Sequence, residues 1–153
     1  MVLAVLLATL ALDQGTKRLA LAYLPFARRV TFLGDVIRLE HARNEGGFLG
    51  LGAGLDREAR GAVFLGGVAV VVLGAGVAAL WAPVTLPHAI GLALVSGGGL
   101  GNLVDRVRLR GYVIDFMNLG LGRMRTGVFN VADVAIMAGV ALLVLPGRRR
   151  APA

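Results

Sequence analysis

The stretch Gly61-Ala-Val-Phe-Leu-Gly-Gly-Val-Ala-Val-Val-Val-Leu-Gly-Ala-Gly-Val-Ala-Ala-Leu-Trp-Ala-Pro-Val-Thr-Leu-Pro-His-Ala-Ile-Gly-Leu-Ala-Leu-Val-Ser-Gly-Gly-Gly-Leu-Gly-Asn-Leu-Val104 contains no Asp, Glu, Lys or Arg. A transmembrane helix needs about 20 predominantly apolar residues, so this run is too long for one span. Trp81-Ala-Pro83, with Thr85 and Pro87 behind it, breaks the run in two. The expectation is one helix over about 61–82 and a second over about 85–104.

Outward from that pair, about 1–24 is a third apolar segment, interrupted by Asp13, Gln14, Lys17 and Arg18. Its first twelve residues resemble the apolar core of a signal peptide. They lack the positive segment that precedes such a core, and apolar character resumes after Arg18. The segment is therefore read as a retained span. About 128–145 is the fourth, holding Asp133 and stopped by Arg148-Arg149-Arg150. The whole composition agrees: 57% hydrophobic and 16% charged in 153 residues, where a soluble domain carries about 25% charged.

Four spans leave both termini on one side, and the two large connections, about 25–60 and 105–127, on the other. Arg29–Leu33 and Val36–Ala42 are rich in β-formers around Gly34-Asp35, which signals a hairpin lying at the membrane surface. The short basic stretch Asn118–Gly127 is expected to lie in the interface as a partial helix. Of the sixteen Lys and Arg, all but the C-terminal triplet lie in or near the large connections. That bias taken alone puts those connections in the cytoplasm.

Composition also excludes chemistry. There is no Cys, and His41 and His88 stand far apart, so neither a thiolate nor a His-based metal site is expected. The net charge of +7 flanks apolar spans without interleaved aromatics, which suits lipid headgroups better than nucleic acid. A Ser/Lys hydrolase would have to use Ser96 and Lys17, the single serine and the single lysine. Ser96 sits in a glycine-rich span where it has a packing role.

Ionisable residues inside spans are costly and mark function by default. Asp13 and Lys17 stand i, i+4 with the acid first, the favourable order for a helical ion pair. Asn102, Asp105 and Arg106 share a face if the helix continues through them. Asp115 lies among apolar neighbours in Gly111-Tyr-Val-Ile-Asp-Phe-Met, and Asn130 and Asp133 stand three apart on the last helix. Asp115 and Asp133 are either a catalytic pair or two buried acids held by arginines. As a pair they would share one proton: the ionised member would activate water and the protonated one would donate to the scissile carbonyl. A small membrane transporter or proton-relay subunit is the other class such residues could serve.

Asp13-Gln-Gly-Thr-Lys17, Asn44-Glu-Gly-Gly-Phe48, Gly97-Gly-Gly-Leu-Gly-Asn-Leu-Val-Asp-Arg106 with Gly111-Tyr-Val-Ile-Asp-Phe116, and Phe129-Asn-Val-Ala-Asp133 resemble, in order and spacing, the four signature blocks of bacterial lipoprotein signal peptidases (signal peptidase II). One departure is visible. The second block usually reads Asn-x-Gly-Ala-Ala-Phe, and here Gly47, Phe48 and Leu49 fill its last three places.

The resemblance implies a membrane all-α fold of four transmembrane helices, with a small extracytoplasmic β-cradle over about 25–60 and an interfacial helix. It implies one domain over 1–153, a monomer without cofactor or metal, in the bacterial cytoplasmic membrane, with both termini inside and the active site near the outer face. That topology is followed here over the charge bias. The implied partners are membrane lipids and a prolipoprotein carrying diacylglycerol on its Cys, cleaved just before that Cys. By motif position, Asp115 and Asp133 are implied as catalytic. Asn44, Asn102, Arg106 and Asn130 are implied as substrate-binding or orienting, and Asp13, Lys17 and Asp105 as supporting.

Overall fold

A computed structural model gives the architecture, and it describes residues 1–24, 28–46, 54–56, 59, 61–63, 66–67, 69–71, 73–74, 77 and 84–145. The elements described from end to end follow one another as α1 (Val2–Tyr23), β1 (Val30–Phe32), β2 (Ile37–Asn44), α2 (Leu86–Arg108), β3 (Val113–Leu121), β4 (Met124–Arg125) and α3 (Val131–Val144). Half of the expected second span, 61–82, lies outside the described residues; those described between 59 and 77 are helical.

Each boundary has a local cause. Pro87 stands in the first turn of α2, where its missing N–H costs nothing. The helix passes the expected end at Val104 and reaches Arg108, so Asn102, Asp105 and Arg106 do share one helix. Arg110 and Gly111 then take φ of 57° and 108°, which turns the chain into β3. Asn130 caps α3 through a capping box, its side chain accepting from the Asp133 N–H while the Asp133 side chain accepts from the Asn130 N–H. That cap sets the start of α3 two to three residues later than expected.

Helix α2 is the centre of the bundle, and small residues let its neighbours close on it. A Cβ on Gly97 would lie 2.9 Å from the Leu6 carbonyl oxygen of α1, and one on Gly98 would lie 2.5 Å from the Ala132 carbonyl oxygen of α3. Small residues let helix backbones approach this closely.

The strands form one antiparallel sheet in the order β1-β2-β3-β4. The Gly34-Asp35 hairpin is where the β-former pattern placed it. Two expectations are corrected. Asn118–Gly127 is not a partial helix: it holds the end of β3, a turn with Gly122 at φ 56°, and β4. The Leu121–Met124 pairing and the Asn118 side chain, which bonds the Thr126 carbonyl and the Arg125 guanidinium, fix it as a hairpin. The sheet is also not confined to 25–60, because β3, from the second connection, pairs along β2 from Ile37↔Leu119 to Asn44↔Val113. The fold is thus helical with a sheet drawn from both connections, not all-α.

Polarity is inverted relative to a soluble protein. Asp13, Lys17, Asn130 and Asp115 are each at most 2% exposed, while Leu3, Leu12, Leu19, Met137 and Val144 lie open on the outside of α1 and α3. Among the described residues no helix is long and apolar enough to cross a membrane. Three charged residues interrupt α1, and α3 spans 14 residues.

Candidate active site

The polar residues of the four signature blocks meet at one end of the bundle, where the C-terminal half of α1, the end of α2 and the start of α3 receive the sheet. Lys17 is their hub. Its ammonium lies 2.8 Å from an Asp13 carboxylate oxygen and 2.9 Å from one of Asp105, and donates to Asn102 Oδ1 at 3.0 Å. An ammonium has three hydrogens and no acceptor, so these partners use it fully. That leaves no lone pair for a base, and the Ser96/Lys17 alternative fails on this count.

Because Lys17 can only donate, it decides which way the Asn102 amide points. The oxygen faces Lys17, and the nitrogen donates to Asp133 Oδ1 at 3.0 Å. Asn102 Oδ1 also accepts from Asn130 Nδ2 at 3.1 Å. The Asn130 amide is fixed in turn, since its oxygen takes the Asp133 N–H at 3.0 Å. Its nitrogen therefore points at Asp115 Oδ1, 2.6 Å away.

Asn130 thus touches both acids. Its side chain donates to Asp115, and its backbone N–H donates to Asp133 Oδ2 at 3.1 Å. The cap that starts α3 is the same residue that ties β3 to it. Asn44, at the end of β2, donates to the second Asp115 oxygen at 2.9 Å. Each carboxylate has two donors, and neither meets an arginine in these bonds.

Burial pushes the Asp115 carboxyl up to about 6, and the neighbouring Asp133 charge pushes the same way. The bonds from Asn44 and Asn130 pull against this. Two acids that repel one another in a dry place are the arrangement in which one proton is shared.

Two acids tie elements together. Asp13 accepts the Ala132 N–H at 3.0 Å, pinning α1 to α3, and Asp105 accepts the Ile114 N–H at 3.2 Å, pinning α2 to β3. Arg106 donates to the Asn102 carbonyl at 3.3 Å and the Gly46 carbonyl at 2.7 Å. It anchors the segment following Asn44. Gly47, Phe48 and Leu49, the departing places of the second block, lie outside the described residues.

Gln14 is a member that residue reasoning missed. Its amide donates to Asp105 at 2.9 Å, and to Asp13 and the Gly101 carbonyl at 3.2 Å each. Its position inside the first block, beside Asp13, was the available signal. Gly101 makes room for this contact: a Cβ there would lie 2.5 Å from Asp13 Oδ2.

Known proteins resemble the chain over most of its length. A family profile described as signal peptidase (SPase) II matches residues 5–147. A lipoprotein signal peptidase of Brevibacillus brevis is 35% identical over 137 residues, covering 89% of this chain and 87% of its own. One of Desulforapulum autotrophicum is 36% identical over 138 residues, covering 88% and 83%. Two solved bacterial membrane enzyme structures share the fold at TM-scores of 0.79 and 0.77. Each has 23% identity and covers 94% of this chain, and the matches span 85% and 90% of theirs.

Proposed function

The chain belongs to the signal peptidase II family and is a peptidase; from that premise we propose that Asp115 and Asp133 together hydrolyse the peptide bond, with one water between them. The single observation that carries this is Asn130 bonding both carboxyls, through its side chain on one and its backbone on the other. The substrate class is that named for the relatives: prolipoproteins, from which the signal peptide is removed.

The chemistry follows from the polar frame. With its carboxyl near 6, Asp115 holds a proton in an appreciable fraction of molecules close to neutral pH. The ionised member of the pair takes a proton from water, which attacks the scissile carbonyl carbon. The protonated member donates to the carbonyl oxygen, and the resulting tetrahedral species collapses with a proton passing to the leaving nitrogen. Asn102 and Asn130 keep both acids oriented, and Asn44 and Arg106 are assigned by this reading to the unwound substrate backbone. No covalent enzyme intermediate is required.

The four-span arrangement in the bacterial cytoplasmic membrane belongs to the same proposal. What supports it is the direction of polarity. Two of the three charges that interrupt α1 face inward: Asp13 and Lys17 are buried and paired, while Arg18 is exposed on an outer surface rich in leucine and valine. Membrane helices carry their ionisable residues in this way. The site then lies at one end of the helices, at the depth where a lipid-anchored Cys meets its signal peptide. We place that end at the extracytoplasmic face.

Purified protein should cleave a diacylated precursor and leave the unlipidated precursor intact. Asp115→Asn and Asp133→Asn should each abolish cleavage while the protein still extracts folded from membranes. Full activity in either variant rejects the pair.

A further inference from the structure

Asn44 holds an oxygen of Asp115 from a strand end. It is the last residue of β2, and past the break in register between Leu39 and Ala42 the remaining pairs are Ala42↔Asp115, Arg43↔Ile114 and Asn44↔Val113. The pairing of β1 with β2 ends at Val30↔Leu39, so among the described residues no strand lies along the other edge of this piece. A short strand end held on one side is where a sheet frays. The bond from Asn44 Nδ2 to Asp115 Oδ2 at 2.9 Å is therefore only as steady as whatever keeps that end in place.

Two arginines flank it. Arg106 donates to the Gly46 carbonyl, two residues past Asn44, at 2.7 Å. Arg43, one residue before, places its guanidinium carbon 5.0 Å from the centre of the Tyr112 ring. An arginine over an aromatic face at that distance makes a cation–π contact. Successive side chains of a strand point to opposite faces, and residues opposite one another across a ladder share one. Ala42, Asn44, Val113 and Asp115 thus share a face, and Arg43 lies with Ile114 on the other. Arg43 reaches Tyr112 across the back of the sheet, away from the reacting atoms.

Tyr112 is a firm platform for a local reason. Helix α2 ends in a Schellman turn: Arg110 takes φ 57°, and the Gly111 N–H bonds the Arg106 carbonyl at 2.8 Å. Gly111, at φ 108°, turns the chain out of the helix, and Tyr112 follows it directly, ahead of the buried Val113 and Ile114. The tyrosine is half-buried, whereas Arg43 is exposed. The tyrosine is thus the fixed partner and the arginine the held one.

We propose that Tyr112 and Arg43 are positioning residues, a clasp that keeps the end of β2 on β3 and with it the Asn44 amide on Asp115. This rests on the Asp115/Asp133 reading above and adds to it what holds one donor of the pair in place. Both residues act through Asn44.

Variants of the full chain, assayed on the diacylated precursor across a range of pH, test this. Tyr112→Leu removes the ring and leaves every charge in place, including Asp133 and Lys17, which act on the Asp115 carboxyl. Its kcat should fall about two- to fivefold, the size of an exposed cation–π contact, with KM less affected. The Asn44 bond pulls the Asp115 carboxyl down, so loosening it should move the pH–rate profile to higher pH, the direction in which Asn44→Ala moves it. Tyr112→Phe keeps the ring face and should keep the parent's profile. In an Asn44→Ala background, Tyr112→Leu should cost nothing more. Arg43→Gln removes the other partner and should give the same fall and shift; it carries the test where Tyr112→Leu does not fold. A loss that persists in full on Asn44→Ala, a fall without a shift, an equal fall in Tyr112→Phe, or the parent's kinetics in both Tyr112→Leu and Arg43→Gln overturns the proposal and leaves the acid pair standing. Full activity in Asp115→Asn removes the pair and the proposal together.

Discussion

Replacing Asp115 by Asn should raise the stability of the protein at neutral pH while abolishing its activity. The carboxyl is moved from 3.8 to about 6, chiefly by burial. A rise of that size corresponds to about 3 kcal/mol of folding free energy. The sign follows from proton uptake. Between 3.8 and about 6 the folded protein binds the proton that the unfolded chain has released, so stability falls as pH rises through that window. Above it the full cost is present; below 3.8 it is absent. Asparagine resembles the protonated acid and escapes the cost.

The gain is partly offset. An amide has one acceptor and one donor side, and Asp115 now faces two donors, Asn44 and Asn130. Asn130 cannot turn, because its oxygen is held by the Asp133 N–H. Asn44, half-buried at the strand end, can rotate to present its oxygen. Leaving a donor unmet would cost about 1–3 kcal/mol, and this rotation avoids most of it. The net expectation is a gain of about 1–3 kcal/mol at pH 7, shrinking to nothing near pH 4. Thermal midpoints by circular dichroism in detergent, from pH 4 to pH 7, measure it. A variant less stable than the parent at pH 7, or one that keeps the parent's pH slope, refutes the reasoning.

Other variants probe the frame. Lys17→Met leaves Asp13 and Asp105 as buried charges without their cation, and should lower stability by about 3–5 kcal/mol in chemical denaturation; adding Asp13→Asn and Asp105→Asn should recover part of that loss. Asn102→Leu removes the partner shared by Lys17, Asn130 and Asp133, and steady-state kinetics should show kcat falling by more than tenfold, with KM less affected. Gly98→Ala places a Cβ 2.5 Å from the Ala132 carbonyl oxygen, so α2 and α3 must part, at about 1–3 kcal/mol in unfolding experiments. Asp35→Ala removes an exposed partner of Arg38 at the far end of the sheet and should leave cleavage rates unchanged.

Much of the site was legible in the chain itself. The spacing of Asn130 and Asp133 reads as one face of the last helix; that Asn130 is instead its cap appears only in the structure. Asp13 and Lys17 read as an i, i+4 pair, and they are one. Gly34-Asp35 reads as a hairpin because positive φ and a flanking β-former pattern are local properties. Asn118–Gly127 was misread because it is short and basic, with nothing local to reveal a distant strand. What makes it extended is β2, which lies far back in the chain and supplies the ladder that β3 completes. Gln14 looked like one more polar interruption until the helices were packed, since all but one of its partners lie on α2.

The sequence by itself therefore determined the Asp13–Lys17 pair, the Gly34-Asp35 hairpin and the family, because each depends on residues within a turn or two of one another or on ordered blocks. The tertiary structure alone decided that one asparagine bonds both acids, that a buried lysine sets the direction of a neighbouring amide, and that a carboxyl on a strand is pushed toward neutrality. Those are consequences of side chains from α1, α2, β2, β3 and α3 being held within hydrogen-bond distance in a place water has left, and neither distance nor desolvation is written in the order of residues.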